Sequence, residues 1–489
     1  VRTAIALMLG IFDAGVIGAY FALITWLGHR VSARQTSTRE YFLGARSLPW
    51  WAVSASIVAT TVSGVTVIGV PALVFAEGGD YRYLQFALAG IISKWIIGHW
   101  MLPKLYAGEF ASPYELIRDR LGDGLGKLAG LLFFVGAVLG QGVRVFAVAL
   151  VLQLLTGLPL GATIALVVVF SALHTWFGGI RAVVYTDVVQ FGIFILGGSL
   201  AIGFASQGVP QGFSGLLAMG AEANKFQILD LSLDPALSFT LWAGIFAMPF
   251  QNLAAYGSDQ INTQRMLCCR SLAEARRALY VSNLGELVVL LFLTVGLGLW
   301  GFYQYQPVDA DFSALLEANA DRIFPIFMLT ELPPGLRGLL VAGVFAAAMS
   351  SLDSVLAALA QTSLTLFHRG YRFGAMADQH AVQWSRFLVL FWAVALGFFA
   401  WSLSGRGEGL VPLAFSMTAY TYGSLFGLLW LSLFVAPRRI HFPVLGVVIS
   451  ITAVTALSMT DAVAFPWLFP VGVVLSVGFA LLPLKNPKS

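Results

Sequence analysis

Residues 346–358 read AAAMSSLDSVLAA and lie inside an apolar run long enough to cross a bilayer. With Ser350 at zero on a wheel of about 100° per residue, Ser354 falls at about 40°, Ala347 at about 60°, Ser351 at about 100° and Asp353 at about −60°. All share one side. It offers hydroxyls, a carboxylate and, at Ala347, a small residue whose carbonyl can be approached. Oxygen donors without thiol or imidazole suit a hard cation. A carboxylate at mid-bilayer costs about 2.5–3.5 kcal/mol on insertion scales, which a monovalent cation would offset. Serines alone would read equally well as packing between helices; Asp353 favours the site.

Other intramembrane charges raise the same question. Asp187, in GGIRAVVYTDVVQ, either snorkels to the interface or joins the Asp353/Ser354 side as a second cation site. Arg144, in LGQGVRVFAVAL with Gln141 one turn away, needs an anion. A solute carboxylate held bidentately is one partner; a structural pair with Asp259, or snorkelling, is the other reading. Lys94 and His99 share one run as a proton or pairing site, although Lys94 reads better as packed or snorkelling. His174 reads as structural, and Asp13 is given no transport role.

Composition sets the elements that must hold these groups. The 489 residues are 58% hydrophobic and 11% charged, against about 25% charged in soluble domains. The net charge of +4 and the lack of basic–aromatic interleaving exclude a nucleic-acid partner. Cys268 and Cys269, placed in a cytoplasmic loop, give neither a disulfide framework nor metal-ligand spacing. There is no H-E-x-x-H, nucleophile elbow or P-loop, so an enzyme is not expected. The reading is an all-α polytopic membrane protein in the lipid bilayer, with about thirteen transmembrane helices. These runs are 9–28, 50–75, 84–103, 128–156, 160–177, 182–205, 237–256, 278–303, 336–367, 387–403, 410–435, 442–457 and 462–482. The first is read as a span rather than a signal peptide, lacking a basic start beyond Arg2 and an A-x-A site.

Basic residues segregate between alternate loops. One set includes Arg30, Arg46, Arg118, Arg265, Arg276, Arg386, Arg438 and Lys485; the other holds only Arg2, Arg82, Lys225, Arg322 and Arg406. The positive-inside rule puts the N-terminus outside and the C-terminus in the cytoplasm. The acidic loops at 206–235 and 304–334 read as solvated surface.

Two runs look broken. The second has a small, polar centre, Thr60, Thr61, Ser63, Gly64 and Thr66, with Pro71 beyond; the seventh carries Pro249 followed by Gln251 and Asn252. They lie five spans apart, as in transporters whose inverted repeats put discontinuous helices at matched positions. The expected division is a leading helix and loop over 1–49, a five-helix repeat over 50–206, a loop over 207–236, a second repeat over 237–436 and two trailing helices over 437–489.

The stretches EYFLGARSLPWWAVSASIVAT, GGIRAVVYTDVVQ, YGSDQINTQRML and GLLVAGVFAAAMSSLDS, in this order, resemble the sodium:solute symporter family. That resemblance implies a LeuT-type 5+5 inverted repeat with one leading and two trailing helices. It implies a sodium site of the Ala59, Val62 and Ala347 carbonyls with the Ser350 and Ser351 hydroxyls. A second sodium, giving one or two in all, would use Asp187, Ser350, Asp353 and Ser354, although many relatives carry a hydroxyl where this chain has Asp353. The binding pattern looks most like sialic-acid-type members, which implies solute contacts at Thr61, Ser63, Thr66, Gln85 and Arg144, with Asp259 beside them. The polar residues by which sugar members read hydroxyls have no match; Thr61, Thr66 and Phe415 stand there.

The expectation is a sodium-coupled secondary symporter in the plasma (inner) membrane, acting as a monomer and importing a small organic anion such as sialic acid or another carboxylate by alternating access. The alternatives are proton coupling through Asp353 and Asp187, or a sodium symporter for a neutral sugar or amino-acid-like solute.

Overall fold

The computed structural model describes residues 9–31, 38–108, 110–367, 379–405, 409–460 and 462–483. Arg2, Arg34, Arg369, Arg372, Arg406, Lys485 and Lys488 of the charge census lie outside these residues.

Lipid offers no partner to backbone N–H and C=O groups, so apolar runs close their hydrogen bonds within helices. The first gives α1 (Ile11–Val31). The second gives α2 (Trp50–Thr61) and α3 (Gly64–Phe75), bent by 57°. Then come α4 (Ala87–Ile96), running on through a π turn at Ile97–Met101, the short α5 (Pro113–Leu121) and α6 (Asp123–Thr156). The fifth and sixth runs form one stretch, α7 (Leu160–Gln207), interrupted at Gly179 with φ 58° and ψ −176°. Unbroken, its 48 residues would extend about 72 Å, over twice the roughly 30 Å hydrocarbon core. The glycine conformation, closed to other residues, separates the two arms.

The seventh run breaks elsewhere than its proline suggests. Pro249 sits at the start of α8 (Met248–Leu253), after one π turn at Ala243–Ala247 and before another at Ala254–Ser258. The wide first turn accommodates the missing N–H. The interruption falls ten residues on, at Asp259, which is extended (φ −82°, ψ 129°) and caps α9 (Gln260–Leu267). The chain continues through α10 (Leu272–Val281), α11 (Gly285–Tyr305), α12 (Leu336–Phe367), α13 (Gln379–Ser402), α14 (Leu410–Phe434), α15 (Pro443–Ser458) and α16 (Phe465–Ala480). Among the described residues, seven helices are individually long and apolar enough to cross a membrane, and the bent α2–α3 pair makes an eighth. Among the described residues the only β feature is an isolated bridge between Leu48 and Cys269.

α12 is the most enclosed of the long helices and packs against α7, α6, α13 and α1. Its start is fixed by Asp13 of α1, whose Oδ1 accepts from the Gly335 and Gly338 N–H groups, both at 2.8 Å. A Cβ at Gly338 would lie 2.7 Å from the Asp13 backbone. Asp13 is therefore a helix cap that docks the leading helix. Asp13→Ala is expected to cost about 1–3 kcal/mol, seen as a lower thermal midpoint in detergent.

Some charges counted as loop residues are buried. Lys225 donates to the Val74 carbonyl at 2.8 Å and the Ala76 carbonyl at 3.3 Å, closing the end of α3. Cys268 and Cys269 are buried beneath the 38–48 segment, Leu48 N donating to Cys268 O at 3.1 Å. In the loop before α12, Asp321 accepts from Leu410 N at 2.8 Å, capping α14, and burial lifts its pKa to about 6. An acid raised above its unfolded value holds a proton in the folded chain that the unfolded chain has released, so this group's stability is lost as pH rises between about 4 and 6. The thermal midpoint should fall over that window in wild type, and Asp321→Asn should flatten the dependence.

Candidate functional site

α2 ends at Val62 and Ser63, both extended, where small and β-branched residues give helix little support. Ser63 and Thr66 then cap α3 reciprocally, Ser63 N donating to Thr66 Oγ1 at 3.4 Å. Opposite this break runs the serine face of α12. Ser350 Oγ donates to Ala59 O at 2.9 Å and to Ala347 O at 3.3 Å, and Ser351 Oγ to Thr60 O at 3.3 Å. Ser350 and Ser351 are fully buried. The structure thus brings together Ala59, Ala347, Ser350 and Ser351 with Val62 at the helix end, and adds the Thr60 carbonyl.

Arg144 of α6 reaches the same place. Its Nη1 donates to Thr60 O at 3.1 Å and approaches Ser351 Oγ at 3.5 Å. No carboxylate lies within ion-pair distance of it among the described residues. Asp259 does not pair with it: its carboxylate accepts from Ile261 N and from Tyr422 Oη, both at 2.7 Å.

The four residues expected around a second sodium divide between other partners. Asp187 does not snorkel. It is 1% exposed and accepts from Ser56 Oγ at 2.5 Å and Arg265 Nη2 at 3.2 Å. Arg265, counted from sequence among cytoplasmic loop charges, is fully buried. It also donates to Ser56 Oγ at 2.8 Å, to Ile261 O at 2.7 Å and to Ser354 Oγ. Asp353 turns instead to His174 Nδ1 at 2.5 Å and Thr175 Oγ1 at 3.3 Å.

A cavity of about 170 Å³ opens beside the break in α2. Thr61, Ser63, Thr66, Arg144 and Asp259 line it. Thr61 Oγ1 lies 3.1 Å from Tyr256 Oη. Gln85 does not line it. Its amide is committed to Arg82 O at 3.2 Å, Phe239 O at 3.1 Å and Asp230 N at 3.2 Å, the last tying it to the 207–236 loop. Phe86 and Phe415 form part of the wall, and Phe415 stacks on Phe465 at 5.2 Å. Sequence reasoning missed Tyr256, Tyr422 and Glu286, and it set Lys94 aside; all four line the cavity. Arg265 stood inside the quoted YGSDQINTQRML stretch, but a lone arginine near a helix end reads as a loop charge without coordinates.

The sodium:solute symporter family model matches residues 41–439. The chain belongs to this family. The chain is 28% identical to the human sodium-coupled monocarboxylate transporter 2 over 85% of its own length and 66% of that protein's. It is 26% identical to the sodium/sialic acid symporter SiaT of Proteus mirabilis over 91% and 89%. A solved outward-open, substrate-bound sodium-coupled sialic acid symporter superposes with a TM-score of 0.85 at 24% identity, covering 96% of this chain and 97% of that one. That likeness fixes the fold as LeuT-type. The family and these relatives are transporters rather than enzymes.

Proposed function

We propose that this symporter couples the entry of one sodium ion to the import of a small carboxylate. The observation that carries the reading is Arg144: a guanidinium at the cavity wall whose hydrogen bonds end on a carbonyl and a hydroxyl of the candidate ion site, with no carboxylate within ion-pair distance among the described residues. A buried arginine without an anion is costly, and its planar fork matches a carboxylate bidentately. The substrates for which these relatives are named, monocarboxylates and sialic acid, carry that group.

Size favours the smaller of the two. The cavity of about 170 Å³ is close to the roughly 150 Å³ of an engineered cavity that holds one benzene ring. A short chain or single ring with one carboxylate fits such a space better than a branched nine-carbon sugar acid.

Sodium and solute would be linked through Ser351. A cation taking the Ala59, Val62 and Ala347 carbonyls and both serine hydroxyls competes with Arg144 for Ser351 Oγ. Its arrival turns the guanidinium into the cavity, where a carboxylate is its best partner. Sodium then raises carboxylate affinity, and by linkage the carboxylate raises sodium affinity by the same factor. One ion rather than two is proposed because Arg265 already supplies a positive charge between Asp187 and Ser354, and Asp353 is engaged by His174.

The test is uptake of radiolabelled propionate and butyrate by proteoliposomes at fixed pH, under an inward sodium gradient and with choline in its place. Uptake that needs sodium and is lost in Ser350→Ala supports the reading. Equal uptake in choline removes sodium coupling.

A further inference from the structure

We propose that Lys94 and Glu286 form a second pole of the same cavity, which takes a hydroxyl or amide group carried by the carboxylate solute. This rests on the carboxylate reading above and narrows the substrate class.

Lys94 is on α4, just before the π turn that widens this helix, and is 2% exposed. Burial at this level excludes snorkelling to an interface. The side chain lines the cavity, with Nζ 4.8 Å from the centre of the Tyr256 ring. Among the described residues no carboxylate lies within 4.0 Å of it and no oxygen accepts from it. A ring face satisfies an ammonium only in part. This donor therefore points at space without an acceptor.

Glu286, on α11, lines the same cavity and likewise has no hydrogen-bond donor or ion pair among the described residues. Its place beside α4 is set by Gly90, one turn before Lys94, where an added Cβ would lie 3.1 Å from Glu286 Oε1 and 3.8 Å from Asn283 Oδ1. Asn283 Oδ1 is buried and also unpartnered. One wall thus carries a cationic donor and the neighbouring wall a carboxylate, neither holding a hydrogen bond or ion pair among the described residues.

Lys94 and Glu286 attract one another across more than 4.0 Å without a direct ion pair, and both face the cavity that a solute would enter. An apolar group there would leave both without hydrogen-bond partners. A second carboxylate would suit Lys94 and be repelled by Glu286. A hydroxyl or primary amide accepts from one and donates to the other. The class implied is a short monocarboxylate bearing a neutral donor–acceptor group, its carboxylate on Arg144.

The experiment uses the purified full chain in sodium and compares the affinities of butyrate with γ-hydroxybutyrate, and of hexanoate with its ω-hydroxy derivative. In wild type the hydroxylated member of at least one pair should bind about tenfold tighter, the gain expected of a hydrogen bond to a charged group. Lys94→Met should collapse that ratio to under about twofold, while Lys94→Arg retains it. Glu286→Gln is measured in parallel, so a misfolded Lys94 variant cannot decide the matter, and should also lower the ratio. If both carboxylates bind wild type equally, or the preference survives Lys94→Met and Glu286→Gln, the second pole is wrong and the carboxylate reading stands. If no carboxylate binds wild type, the Arg144 reading fails and takes the second pole with it.

Discussion

Arg144→Gln should weaken carboxylate binding by roughly thirtyfold or more, the effect of removing one partner of a desolvated, hydrogen-bonded charge pair. Glutamine keeps a polar side chain in the wall but removes the charge, and its amide ends two bonds short of the Nη1 that now reaches Thr60 O at 3.1 Å. Sodium binding should survive, because the carbonyls and hydroxyls expected to hold the ion remain. The discriminating pattern is a sodium-induced rise in thermal midpoint that persists while the further rise on adding carboxylate disappears. If the variant binds the best wild-type carboxylate with unchanged affinity, Arg144 is a structural cation and the solute lies elsewhere.

The second large effect concerns Arg265. It is fully buried and joins three helices: Ser56 on α2, Asp187 on α7 and Ser354 on α12. Removing one partner of a buried pair leaves the other charge uncompensated and typically costs 3–5 kcal/mol. Arg265→Met should therefore destabilise by about that amount, read as a sharp fall in thermal midpoint and in detergent-extracted yield. The double variant Arg265→Met, Asp187→Asn should recover much of the loss, since no unpaired carboxylate remains. A single variant as stable as wild type would mean that Asp187 is neutral or has another counter-ion, and would reopen the second cation site.

The sequence was legible where a residue's chemistry is incompatible with lipid. The serines and aspartate of α12 could not be ordinary membrane residues, and the small polar centre of the second run could not sustain a helix. The serines and the break meet within 2.9–3.3 Å, whereas Asp353 turns to His174. The seventh run was read through Pro249, the strongest local signal, but a π turn accommodates the proline and the interruption sits at Asp259. Such a turn is stabilised by packing, for instance Ser93 Oγ donating to Pro249 O at 3.0 Å, and leaves no periodic trace. Pairings between distant segments were equally hidden. Asp187 and Arg265 are 78 positions apart, and His174 and Asp353 are 179 apart. A buried ion pair and a cation ligand draw on the same residue types, so composition could not assign Asp187 and Asp353 between them. Gln85 misled for the converse reason: a glutamine on the expected helix, its amide already spent on backbone.

The account stands on a cation and a guanidinium sharing Ser351. The direct measurement is the affinity of the purified symporter for butyrate as sodium is titrated against choline at constant ionic strength, in wild type and in Ser351→Ala. We expect affinity to rise at least about tenfold with sodium in wild type, within the usual span of coupling energies, and the dependence to be largely lost in Ser351→Ala. Butyrate affinity that stays flat across the sodium titration in wild type would contradict it.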